Sequence, residues 1–143
     1  APHWNANARG LLSGLTRDTS PKEIVRAVIE SVAYQTYDLF EAMKHDGLRP
    51  KIVKVDGGMV MNNWFSQFLS DIINVKVLRP KVQETTALGA ALMAGLQIGV
   101  YKSLKDISRN WSLDKKFAPK MNSKNRTILI RGWEKAIKKT LSN

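Results

Sequence analysis

The stretch Val55-Asp56-Gly57-Gly58-Met59-Val60-Met61-Asn62-Asn63 holds the residues of this chain best suited to chemistry. A β-branched run empties through two glycines into an apolar-periodic segment. Glycine has no Cβ, so Gly57 and Gly58 can take positive φ and let a ligand lie against bare backbone. A helix starting there would add unpaired N–H groups and a positive dipole end, which suits a nucleotide phosphate. Asn62, one helical turn past Gly58, is expected to project from the first turn on the same side and to hydrogen-bond phosphate oxygens or an adenosine. The same Gly-Gly also serves as a plain turn after a strand, and Asp56 either caps that turn or orients a metal-bound water. The motif alone leaves these readings open.

The elements that must position this turn follow from periodicity. Ser20-Pro21-Lys22-Glu23 is a helix start, with Ser20 as cap, Pro21 where a missing donor is harmless and Glu23 reaching back. Ile24, Val25, Val28, Ile29, Val32, Leu39, Phe40 and Met43 then keep a 3.6-residue stripe expected to face a core, with Gly47 ending the helix. Ile52 to Val55 reads as a strand, Trp64 to Ile73 as a helix with Trp64, Phe65 and Phe68 in the core, and Val75 to Leu78 as a second strand stopped by Arg79-Pro80. A helix rich in Ala and Gly, from about Thr86 to Ile98, is small enough on its surface to approach a sheet or helix closely. Strand, turn, helix, strand, helix is an α/β pattern. Before it, His3 to Arg17 suits a loop and one strand through Leu11, Leu12 and Leu15. After it, Leu104 and Ile107 mark a short helix, Leu113 to Phe117 an extended piece, and Ile130, Trp133, Ile137 and Leu141 a final amphipathic helix.

The other reactive residue types have ordinary explanations. His3 and His45 have no Asp or Glu at ligand spacing, and surface or capping roles suffice for them. Ser13, Ser31 and Thr86 lack a base in any triad-like arrangement. Glu84 sits before the small-residue helix, where a negative charge is favourable without a catalytic task.

The 143 residues suit a single domain, carry no cysteine and have no apolar run long enough to cross a bilayer. The opening Ala1-Pro2-His3-Trp4 has no charged leader followed by an apolar run, so no secretion signal is expected, and it reads as a chain that begins in mid-protein. A cytoplasmic location is the expectation. The formal net charge of +11 is unevenly placed: residues 1–101 carry 11 Lys/Arg against 9 Asp/Glu, and residues 102–143 carry 12 against 3. The basic character therefore belongs to a C-terminal extension, 102–143, of the one domain spanning 1–143. Trp111 and Trp133 among those lysines offer a remote nucleic-acid-binding alternative, against which stand the absence of any accompanying motif and the fit of Trp133 to an apolar stripe.

A resemblance sharpens this. Gly10-Leu11-Leu12-Ser13-Gly14-Leu15, then seven residues, then Glu23-Ile24-Val25-Arg26-Ala27-Val28-Ile29-Glu30 is similar to the second sequence signature of the FGGY carbohydrate kinases. Glu30-Ser31-Val32-Ala33-Tyr34-Gln35-Thr36, the Asp56-Gly57-Gly58 turn with Asn62, Gln67 to Ile72, and Gly132-Trp133-Glu134-Lys135-Ala136 continue the likeness over essentially the whole chain. Within that group, Asp56 and Glu84-Thr85-Thr86-Ala87-Leu88-Gly89-Ala90-Ala91 look more like the glycerol kinases than the xylulokinases or gluconokinases. Ala1-Pro2-His3-Trp4 resembles their Ala-Pro-Tyr-Trp, with His3 in place of tyrosine.

The resemblance implies an α/β domain of the actin-like ATPase (ribonuclease H-like) fold, the C-terminal domain of a two-domain kinase with ATP in the cleft between its lobes. It makes Gly58 and Asn62 nucleotide contacts, with Gly57 completing the turn, and assigns no catalytic residue or metal ligand to this chain. It implies Mg2+ carried with ATP, and glycerol or a related polyol bound mainly by segments upstream of Ala1. Self-association of the whole protein is expected, and neither a membrane nor nucleic acid is an expected partner.

Overall fold

The computed structural model describes residues 2–142. Ser20 opens the first helix in the way its neighbours dictate. Its side chain accepts from the Lys22 N–H while its own N–H donates to Glu23 at 2.8 Å, closing a capping box ahead of α1, Pro21–His45. The Ser20 hydroxyl, and after it the Ser20 backbone, hold the Glu23 carboxyl below the usual carboxylate range.

After α1 come β1 (Ile52–Lys54), a 3-10 turn (Gly58–Met61), α2 (Asn63–Ile73), β2 (Lys76–Pro80), α3 (Thr85–Gln97), α4 (Leu104–Ser108), β3 (Leu113–Phe117) and α5 (Ser123–Leu141). The sheet order is β1-β2-β3. β1 and β2 run parallel, joined through α2, with Val53 opposite Val77. β3 returns antiparallel, with Val77 opposite Phe117 and Arg79 opposite Lys115. The register then jumps so that Pro80 faces Leu113, leaving Asp114 as the extra residue of a bulge.

Helix α2 is the centre of the core. Phe65, Phe68, Leu69, Ile72 and Ile73 bury its apolar face against Val77 and Phe117 of the sheet and Ala33 and Tyr34 of α1. A run of rings crosses the interior: Trp64 stacks on Phe68 at 5.1 Å, Phe68 meets Tyr34 edge-on at 5.6 Å, and Tyr34 stacks on Trp133 of α5 at 5.4 Å. β3 and α5 thus supply Phe117 and Trp133 to the same core as the earlier elements, and Ile130 of α5 is buried as well.

Several expectations are corrected. Leu11, Leu12 and Leu15 form no strand and lie exposed, because no strand among the described residues pairs with that segment. The stripe on α1 divides: Ile29, Val32 and Phe40 pack on the core, whereas Val25, Val28 and Leu39 are exposed. Trp64 is 41% exposed rather than a core residue, its ring covered on one face by Phe68 and approached by the Arg26 guanidinium at 5.2 Å. β2 continues through Arg79 and Pro80 instead of stopping before them, because β3 pairs with both. The close approach expected of α3 is confined to Gly95, where a Cβ would meet the Tyr101 ring at 2.9 Å, and the rest of the helix is largely exposed. Ala1, at the head of the opening motif, lies outside the described residues.

The Trp133 indole also donates to Asp38 at 2.8 Å. Burial raises the Asp38 carboxyl above its ordinary pKa, against the opposing effect of the Trp133 bond. A carboxyl whose pKa is higher in the folded than the unfolded chain favours folding fully only below its unfolded value, and that contribution is lost as pH rises through the folded pKa. Asp38→Asn keeps an acceptor for Trp133 and removes the half-buried charge. The variant is therefore expected to be at least as stable as the parent in urea at pH 7, with the difference closing toward pH 4; a difference that widened on acidification would contradict this account.

Candidate functional site

β1 delivers the chain to the glycine turn along its pairing with β2, and the Val55 N–H still donates to the Leu78 carbonyl at 3.0 Å. Gly57 then adopts φ 86° and ψ 171°, a region essentially reserved for glycine. Its N–H donates to the Gln83 carbonyl at 3.3 Å, which ties the turn to the loop after β2. A single 3-10 turn, Gly58–Met61, follows before α2 begins. Val60 points inward and is buried, while Gly58, Met59 and Asn62 are exposed. A Cβ placed on Gly57 or Gly58 would meet nothing within 4 Å, so the backbone there is open to an approaching group.

The structure brings Gly57, Gly58 and Asn62 to one exposed edge, with one correction. α2 starts at Asn63, not at the glycines, and Asn62 is its N-cap: Asn62 Oδ1 accepts from the Trp64 N–H at 2.9 Å and the Phe65 N–H at 3.2 Å. Two N–H groups of the helix N-terminus are thereby satisfied from within, and its dipole end lies one 3-10 turn beyond Gly58. Asn62 Nδ2 has no partner among the described residues and remains free to donate. Asp56 is exposed and makes no described side-chain hydrogen bond, so it does not cap the turn.

Three residues outside the motif hold it in place. The Ser66 hydroxyl donates to the Val60 carbonyl at 2.8 Å. Arg79, 6% exposed, donates through Nη1 to the carbonyls of Val60 at 2.8 Å and Met61 at 3.1 Å, and through Nε to Asp114 at 2.7 Å. Gln83 supplies the carbonyl for Gly57. In the sequence Arg79 looks like the stop of a strand; the signal against that is its place two residues after Val77, on the inward parity of an alternating strand.

The remaining candidates carry less. Trp133 is committed to Tyr34 and Asp38, and the Lys54 ammonium lies 4.1 Å from the Trp111 ring centroid. Trp133 is thus occupied inside the fold rather than displayed for base stacking. His3 shares the wall of a groove of about 210 Å3 with Asp38 and Glu134, yet no group of three His, Asp or Glu placed to hold a metal occurs among the described residues. No helix among them is long and apolar enough to cross a membrane.

The fold of this chain is shared with solved kinases. The structure of Plasmodium falciparum glycerol kinase with ADP superposes with a TM-score of 0.83 at 38% identity, covering 99% of this chain and 28% of that one. A ligand-bound xylulose kinase from Lactobacillus acidophilus does so with a TM-score of 0.71 at 29% identity, covering 92% of this chain and 26% of that one. The fold is that of an actin-like ATPase C-terminal domain, as expected. Residues 1–98 match the C-terminal domain of the FGGY family of carbohydrate kinases, and the chain belongs to that family. Glycerol kinase 1 of Pseudomonas aeruginosa is 54% identical over 142 residues, and the glycerol kinase of Gluconobacter oxydans 51% over 143; each alignment takes in 99% of this chain. The chain spans 28% to 29% of the length of these relatives.

Proposed function

We propose that this chain is the C-terminal, nucleotide-binding part of an ATP-dependent glycerol kinase, catalytically incomplete by itself. The observation that carries the reading is the exposed turn, in which a glycine-only conformation at Gly57 bares the backbone of Gly58 beside the uncommitted Asn62 Nδ2. Identity of 51% to 54% with two bacterial glycerol kinases along the whole chain and, among solved structures, 38% with a glycerol kinase against 29% with the xylulose kinase favour glycerol as acceptor. The turn forms one wall of a nucleotide cleft: Gly57 and Gly58 admit the nucleotide against main chain, and Asn62 donates to it through Nδ2. Mg2+ would be carried with ATP and would neutralise phosphate charge, and no ligand for it is assigned to this chain.

In the intact protein, meaning this chain with the polypeptide that carries the acceptor site, the terminal hydroxyl of glycerol attacks the γ-phosphorus of ATP in line. The bond to the β,γ-bridging oxygen breaks, ADP leaves, and the hydroxyl proton passes to a base outside this chain. The role of these residues is positioning, which lowers the barrier by holding the reactants in attacking geometry.

Asn62→Asp separates the two duties of that side chain, since it keeps an oxygen for the Trp64 and Phe65 N–H groups and replaces the free donor with negative charge. In the intact enzyme it is expected to raise the KM for ATP about tenfold or more, the worth of one hydrogen bond to a charged group, with the KM for glycerol unchanged. An unchanged ATP KM would remove Asn62 from the nucleotide site. Phosphorylation of a pentulose or gluconate in preference to glycerol would overturn the acceptor and leave the turn's role intact.

A further inference from the structure

We propose that Arg79 is a positioning residue for the nucleotide, acting through the backbone of the 3-10 turn and itself oriented by Asp114 from β3. The inference rests on the turn being a nucleotide wall, as argued above. A 3-10 turn that ends where a new helix begins leaves carbonyls without partners of their own. Here those of Val60 and Met61 point inward; Val60 also accepts from the Ser66 hydroxyl at 2.8 Å, and one nitrogen, Arg79 Nη1, reaches both carbonyls, at 2.8 and 3.1 Å. The two carbonyls immediately precede Asn62, so fixing their peptide planes fixes the direction in which Asn62 leaves the turn.

The guanidinium is suited to this because it is planar and presents several donors in a rigid fork. Its Nε is taken by Asp114 Oδ2 at 2.7 Å, which sets the plane of the group and leaves Nη1 aimed at the turn. Asp114 reaches Arg79 because it is the extra residue of the β2–β3 bulge, where the register jumps from Arg79–Lys115 to Pro80–Leu113. Arg79 is 6% exposed and lies over the Phe117 ring at 5.6 Å, so it is not placed to touch a ligand itself. The relay runs Asp114, Arg79, Val60 and Met61, Asn62. It begins in the basic C-terminal segment, beyond the residues 1–98 matched by the family domain, and gives that segment a task at the nucleotide edge.

The test uses the intact enzyme with Arg79→Lys, Asp114→Asn and Asn62→Asp, singly and as the Arg79→Lys/Asn62→Asp pair. Steady-state KM for ATP and for glycerol, kcat, and melting temperature are measured for each. Lysine keeps the charge and reaches one carbonyl but cannot fork; it is expected to raise the ATP KM roughly 2- to 30-fold with the glycerol KM unchanged. Asp114→Asn acts in the same direction and more weakly, and remains informative if the buried Arg79 site does not tolerate lysine. In the pair the two effects are less than multiplicative, because both are spent on the same side chain. Asn62→Asp raising the ATP KM while Arg79→Lys and Asp114→Asn only lower the melting temperature would overturn the positioning role and spare the nucleotide wall. Fully multiplicative effects would overturn it as well. An ATP KM indifferent to Asn62→Asp would overturn the wall, and the relay with it.

Discussion

Replacing Gly57 by alanine in the intact enzyme is expected to raise the KM for ATP roughly 5- to 150-fold, with little change in the KM for glycerol. The residue sits at φ 86° and ψ 171°, where any side chain strains its own backbone by about 1–3 kcal/mol. No neighbour contributes to that cost, since a Cβ at Gly57 meets nothing within 4 Å. The penalty is therefore local and cannot be relieved by repacking. The turn either keeps its shape and the protein melts earlier, or it relaxes and carries Gly58 and Asn62 out of line; the ATP KM and melting temperature together account for the full cost. Gly58 is the natural control, because its φ is not positive and a side chain there reports only on how closely a ligand approaches. If Gly57→Ala left both ATP KM and melting temperature at their parental values, the strained turn could not be what bares the nucleotide wall.

Phe68→Ala should be the most damaging single truncation in the core, with a cost of about 3–5 kcal/mol in urea unfolding. Phe68 is 6% exposed and is the middle of the ring series, stacked on Trp64 and edge-on to Tyr34. Aromatic pairs of this kind are worth about 0.5–1.5 kcal/mol beyond the area they bury, and this truncation removes two. It also opens a void between α1 and α2 that rigid neighbours fill only in part. A loss below about 1 kcal/mol would mean that the helices collapse freely onto the gap, and that the ring series is incidental to their packing.

What could be read in the chain, and what could not, divides by the range of the interactions. The start of α1 was legible because every bond of the Ser20–Glu23 box lies within four residues. The final helix was legible because Ile130 and Trp133 repeat at helical spacing. The body of α2 was legible from Trp64 onward, but the 3-10 turn before it was not, because that turn is held by Arg79, which lies 18 and 19 residues beyond the carbonyls it binds. Periodicity showed an apolar face on α1 but not its neighbours, so the exposure of Val25, Val28 and Leu39 was not foreseeable. At the site, resemblance singled out Gly58 and Asn62 for nucleotide contact, a role that remains proposed. It could not show that Asn62 spends its oxygen on the helix cap and leaves only its nitrogen without a partner among the described residues.

The pairing of β2 with β3 has a consequence for the order in which the protein assembles. β1, α2 and β2 are contiguous and can close on one another over short loops, whereas Asp114 reaches Arg79 only after the stretch from Lys81 to Ser112 has been looped back. Loop closure costs entropy before the contacts that repay it form, so the early elements are expected to gather first, with the turn still loose. During synthesis the glycines and Asn62 leave the ribosome well ahead of β3. The glycine turn is thus written early in the chain and set in shape late, when the last strand arrives.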